Sequence, residues 1–211
     1  MIFNFKIPNT TSYKLQANKL NRGMTYVELI VVLSIFSVMA SIVIFNYGEF
    51  QAKVDIKNLA SDIALKIVEA QKSSLSGKLP PLTQQLQIDS TWKPAYGVHI
   101  DKAADDESFI YFSDLNEDGL FDGSDCTGEC IDPITITRGN YISSLDVFYQ
   151  SGGSESLDDL TISFSRPSSS AEIKSSTSFS SAVSYVQISI ASPKSANAKI
   201  KIYLSGRIQV N

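Results

Sequence analysis

Two hydrophobic periods divide the chain. From Leu29 to Phe45, 17 consecutive residues carry no charge, which is close to the shortest helix that crosses the hydrocarbon core of a bilayer. Beyond it Phe50, Val54, Leu59, Ile63, Ile67 and Val68, with Ala60, Ala64 and Ala70, recur at three- and four-residue steps. Lys53, Asp55, Lys57, Asp62, Lys66, Glu69 and Lys72 fill the remaining positions. That is the pattern of an amphipathic helix. Gly77 and the Pro80-Pro81 pair supply its stop. The spacing predicts one helix from Met24 to about Ser76, roughly 80 Å long at 1.5 Å per residue. Its first half would lie in a membrane or filament core, and its second half would pack on a globular head.

After Leu86 the period becomes two. Tyr96–Ile100, Phe109–Phe112, Ile134–Thr137, Tyr141–Tyr149, Leu160–Phe164, Val183–Ala191, Lys199–Leu204 and Arg207–Val210 read as strands separated by turn residues. Alternation such as Ile200/Ile202/Leu204 against Lys199/Lys201/Tyr203 indicates antiparallel sheet with one wet face. The 45 residues from Ser151 to Ser195 hold 17 serines, so that stretch reads as polar and loop-rich between its inner strands. The fold class expected is α+β: a long N-terminal helix, half membrane-spanning and half amphipathic, packed on an antiparallel β-rich head.

Charge sharpens this division. The chain carries −4 overall, but residues 1–23 hold Lys6, Lys14, Lys19 and Arg22 with no acid, so the rest is left at −8. Positive charge before an apolar run keeps that end in the cytoplasm and sends the downstream residues outward. The acids concentrate between Asp101 and Asp132, where there are eleven with one base, Lys102. A single histidine, His99, excludes a His-rich metal site, and its out-of-phase place in a strand reads as exposed. No catalytic constellation appears, and the chain is read as not an enzyme.

Glu28, a lone carboxylate in the first turn of the apolar helix, is costly in lipid without a partner and so marks a functional position. The segment Gly23-Met-Thr-Tyr-Val-Glu-Leu-Ile-Val-Val-Leu33 resembles the prepilin cleavage and methylation motif of the type IV pilin and type II secretion pseudopilin superfamily. The resemblance implies cleavage after Gly23, N-methylation of Met24, and a role for Glu28 in assembly through the N-terminal amine of a neighbouring subunit. It also implies the partners: other pilin-like subunits, a prepilin peptidase and methyltransferase, and an inner-membrane assembly platform. The expected divisions are a removed leader at 1–23, an apolar assembly half of the helix at 24–47, an amphipathic half at 48–78 and the β-rich head at 79–211. The chain would sit in the cytoplasmic membrane with its head outside, and at the cell surface once assembled.

Within the head, residues 114–125 place oxygen ligands at loop positions 1, 3, 5, 9 and 12: Asp114, Asn116, Asp118, Asp122 and Asp125. Glycine stands at position 6 as Gly119. Calcium takes six to eight oxygen ligands, alternate acids bring three side chains inward, and Leu120 at position 7 can add its backbone carbonyl. The loop resembles EF-hand and dockerin-type calcium loops, with Asp125 where an EF-hand usually has glutamate. A structural calcium ion is expected, against the plainer reading of an acidic, solvated turn. Immediately after, Cys126 and Cys130 are placed to close a small disulfide in an exported chain.

Leu160-Thr-Ile-Ser-Phe-Ser-Arg-Pro167 and the terminal Lys199–Val210 stretch resemble the heads of GspH/FimT-like minor pseudopilins. Some members of that group bind DNA through a Gly-Arg-x-Arg element, whereas this chain has Gly206-Arg-Ile-Gln209 and lacks the second arginine. Arg207, Lys199 and Lys201 make only a modest basic patch, which argues against nucleic acid as a partner. The leading function is therefore a minor subunit of a type IV pilus or type II secretion pseudopilus. The alternative is a membrane-anchored, calcium-dependent binding, adhesion or DNA-uptake module.

Overall fold

The computed structural model describes residues 23–123, 126 and 128–211. The expected leader therefore lies outside the described residues apart from Gly23, and so does Asp125. The chain divides into two compact units, 1–45 and 46–211.

Helix α1 runs Tyr26–Ser76, close to the expected span. Thr25 caps it: the Thr25 hydroxyl accepts the Glu28 N–H at 3.2 Å and the Thr25 carbonyl accepts the Leu29 N–H at 3.1 Å. The other end closes as a Schellman turn. Gly77, at φ 69°, donates to the Ser74 carbonyl and Lys78 donates to that of Ser73; glycine enters this left-handed conformation without a Cβ penalty. In the first unit the helix exposes its apolar side chains, for example Val31 at 50%, Phe36 at 69% and Phe45 at 84%. It is long and apolar enough to cross a membrane.

In the second unit α1 buries Ala52, Ile56, Ala60, Ile63, Ile67, Ala70 and Ser74. Small residues are interspersed with isoleucines on this stripe, so the helix backbone can approach the sheets closely. Leu65, on another face, is exposed.

Ten strands complete this unit: β1 Ala95–Asp101, β2 Ser108–Ser113, β3 Cys130–Thr135, β4 Tyr141–Tyr149, β5 Ser154–Leu157, β6 Asp159–Ser165, β7 Glu172–Lys174, β8 Val183–Ala191, β9 Asn197–Tyr203 and β10 Ile208–Val210. They form two five-stranded sheets, ordered β3-β2-β1-β6-β7 and β10-β9-β8-β4-β5. All strand pairs are antiparallel. One contiguous core joins the helical stripe to Tyr96, Val98, Leu160 and Ile162 of the first sheet and to Leu145, Val147, Ile188 and Ile200 of the second.

Ser74 and Tyr111 tie helix to sheet through polar bonds as well. The Ser74 hydroxyl donates to the Pro94 carbonyl at 3.0 Å, and the Tyr111 hydroxyl donates to Ser73 Oγ at 3.1 Å. Two strands, β5 and β7, were not expected from the sequence. Both are short edge strands in the serine-rich stretch, where pairing to a neighbour rather than their own side-chain pattern defines them.

Candidate functional site

The segment between β2 and β3, residues 114–129, contains six acids and no base. Its residues 114–123 fold back over the outer face of the first sheet. There the Phe121 ring lies 5.4 Å from Phe112 and 5.1 Å from His99, centroid to centroid. Ser163 Oγ donates to the Gly119 carbonyl at 3.4 Å, Lys174 Nζ donates to the Asp118 carbonyl, and Trp92 Nε1 donates to the Asp114 carbonyl at 2.9 Å. His99 is accordingly half-buried rather than exposed, because the loop covers the face on which it lies. Its Nδ1 is 2.8 Å from Thr161 Oγ1. Burial lowers its pKa, against the opposing charges of Asp159 and Asp101.

The loop winds on its own side chains. Gly119 N–H donates to Asp114 Oδ2 at 2.8 Å, Asp118 N–H to Asn116 Oδ1 at 3.1 Å, and Leu120 N–H to Asp118 Oδ1 at 2.8 Å. Glycine is required at 119: its φ is 74°, and a Cβ there would stand 2.8 Å from Lys174 Nζ. Asp114, Asn116, Asp118, Leu120 and Asp122 all lie along this winding stretch. Asn116, Asp118 and Asp122 face solvent, and the Asn116 amide nitrogen donates to both Asp118 Oδ2 at 3.0 Å and Asp122 Oδ2 at 2.8 Å. Among the described residues, no three His, Cys, Asp or Glu side chains are gathered so as to hold a metal ion.

Two carboxylates lie deep. Asp114 is 2% exposed, and its Oδ1 is buried without a hydrogen-bond partner. Burial raises its pKa, with the Asp118 charge adding and the N–H groups of Gly119, Glu117 and Asp118 opposing. Glu129, absent from the expected ligand set, is 4% exposed. Its Oε1 accepts the Leu115 N–H at 2.7 Å and its Oε2 accepts the Asp122 N–H at 2.9 Å. Burial above all pushes its pKa up to about 7, and the charges of Asp114 and Asp122 add to the effect, against the bonds from Asp122 and Leu115.

Cys126 and Cys130 form the expected disulfide, with Cα atoms 4.8 Å apart. The buried Gln84 holds the same turn, since its Nε2 donates to the carbonyls of Gly128 at 2.8 Å and Cys130 at 3.0 Å. Neither Gln84 nor Glu129 is signalled by spacing; an isolated glutamine and a glutamate inside a CxxxC turn look like ordinary surface residues.

The basic residues lie elsewhere, on the outer side of the second sheet. Across β4, β8 and β9, Phe148 stacks on Tyr185 with centroids 4.5 Å apart, and Tyr203 lies tilted beside Tyr185 at 5.3 Å. The Arg207 guanidinium caps Tyr203 at 4.0 Å, and Lys201 Nζ lies 5.2 Å from the Tyr185 ring centroid. Lys199 is exposed, one pleat from Lys201 on the same face, and is paired through its backbone to Asn211. Two of the three cations are thus engaged with a ladder of rings whose faces already cover one another.

Gly23, Met24 and Glu28 lie in the other unit, around the start of its helix. The Thr25 cap uses the Glu28 main-chain N–H.

Compared with known protein families, curated proteins and solved structures, the chain matches none.

Proposed function

We propose that the chain is a membrane-inserted structural subunit, cleaved after Gly23, methylated at Met24 and assembled through its N-terminal helix into a type IV pilus or type II secretion pseudopilus. The observation that carries this reading is the two-part character of α1. Its first part exposes apolar side chains along its length, while its second part is buried in the β domain. An apolar helix with no protein cover suits lipid or a bundle of identical helices. The basic segment before it orients the β domain outward, and the resemblance of Gly23–Leu33 to the prepilin motif adds processing and assembly.

In this reading the β domain is carried outside the membrane with the loop at 114–129 as its most charged feature. Asp114, Asn116, Asp118, Asp122 and the Leu120 carbonyl, with Asp125, would hold a calcium ion, whose charge would offset the repulsion among the loop acids. The buried, unpartnered Asp114 Oδ1 fits such an ion. A second reading, an anchored calcium-dependent binding or DNA-uptake module, draws on the solvent-facing Asn116, Asp118 and Asp122.

Glu28→Ala separates the two. Under the assembly reading, the variant is processed and reaches the membrane but is lost from sheared filaments, with the thermal transition of the β domain unchanged. Filament incorporation equal to that of the wild-type chain would refute it.

A further inference from the structure

We propose that Glu129, reaching back from the disulfide-closed turn, is the carboxylate that completes a divalent-cation site floored by Asp114. The proposal deepens the calcium reading and rests on it.

A loop of this type needs a two-oxygen carboxylate to close the coordination shell, a task that glutamate at position 12 usually performs. This chain has aspartate at position 12, one methylene shorter. Glu129, four residues further on, has the missing length. Its main chain is fixed at the entrance to β3, where its carbonyl accepts the Ser113 N–H at 3.0 Å. The Cys126–Cys130 bond and Gln84 hold the turn around it. Its two oxygens meet the N–H of Leu115, next to position 1, and the N–H of Asp122, at position 9. Glu129 therefore links the start of the ligand series to its ninth position.

An ionised carboxylate offers about four acceptor sites, and the two bonds from Leu115 and Asp122 leave about two for a cation. Asp114 Oδ1, buried and without a hydrogen-bond partner, is the independent sign that something is to be bound there. A bare buried carboxylate oxygen is costly, and one such group in a native fold calls for an ion or a water. Neither Asp114 nor Glu129 forms an ion pair among the described residues. The cation suited to these groups is hard and oxygen-seeking, and the all-oxygen, flexible donor set favours calcium over magnesium.

The test uses the full-length chain in detergent micelles. Trp92, the chain's one tryptophan, donates to the Asp114 carbonyl, so its indole is placed to sensitise terbium luminescence from the site. Displacement of terbium by calcium then gives the calcium affinity. Glu129→Gln is expected to weaken calcium binding by about tenfold or more, while Glu117→Gln, an exposed loop carboxylate outside the ligand series that accepts the Lys93 N–H, changes it by less than about threefold. If Glu129→Gln binds calcium within about threefold of the parent, the proposal is overturned while the calcium reading stands. If the wild-type chain shows no saturable binding of either ion, both fall.

Should Glu129→Gln fail to fold, the wild-type chain still decides the matter by carbon-13 NMR of its side-chain carboxyl groups. Saturation with calcium should move the Glu129 carboxyl resonance and leave that of Glu117 nearly in place; a Glu129 resonance that does not move overturns the proposal.

Discussion

Ile63 offers a direct measure of how firmly the second part of α1 belongs to the β domain. Its side chain is fully buried, whereas Leu65, two residues on, is 63% exposed. Ile63→Ala removes three carbons, a transfer loss of about 2.4 kcal/mol at about 0.8 kcal/mol per methylene. The space left adds a cavity cost of about 24 cal/mol per Å³, which brings the total to about 2.5–4.5 kcal/mol. For a unit of the size of 46–211, each kcal/mol moves the midpoint by about 2–4 °C, so Tm should fall by roughly 5–18 °C. Leu65→Ala should stay within about 0.5 kcal/mol of the parent. Near-UV circular dichroism of the full chain in detergent, tracked through a thermal ramp, reads tertiary packing rather than helix content. Equal midpoints for the two variants would refute the claim that this stripe is part of the core.

Gly97→Ala should cost about 1–3 kcal/mol by overpacking, because a Cβ there would stand 2.6 Å from the Phe112 ring and 2.7 Å from the Ile162 carbonyl oxygen; denaturant titration would show it. His99 takes up a proton near pH 6.5 in the unfolded chain but only at lower pH in the folded one. Its neutral form therefore contributes stability that is full above about pH 6.5 and is lost as pH falls through the folded value. His99→Gln should flatten the Tm-versus-pH profile in that window, and an unchanged slope would remove His99 as its source.

The long helix was legible because its apolar positions obey one period through two different surroundings. The inner strands were legible because each alternates strongly enough to declare a buried face; Tyr141–Tyr149 and Val183–Ala191 were read with the bounds observed. Strand β3 was expected at Ile134–Thr137 and lies at Cys130–Thr135. The observed strand includes Pro133, which an edge strand tolerates because its missing N–H leaves no ladder bond unmade. Strands β5 and β7 carry too few apolar residues to show any period. In the loop, the order of Asp114, Asn116, Asp118 and Gly119 was readable because alternate acids and a glycine impose a local turn. Glu129 was not, since its approach depends on β2–β3 pairing and the disulfide, which act over distances that local spacing does not encode. His99 was misjudged for the same reason, because the residue that covers it, Phe121, comes from a distant part of the chain.

Both sheets end in strands that an incoming chain would find hard to extend. β7 and β10 have three residues each, β5 has four, and β3 carries Pro133 beside an Asp132 held by Lys66. A template so short or so interrupted offers a visitor few consecutive main-chain bonds. Many copies of this domain could then be crowded side by side without their sheets zipping into a continuous ribbon. Any contact between such copies would fall to side chains, where it can be specific and can be undone.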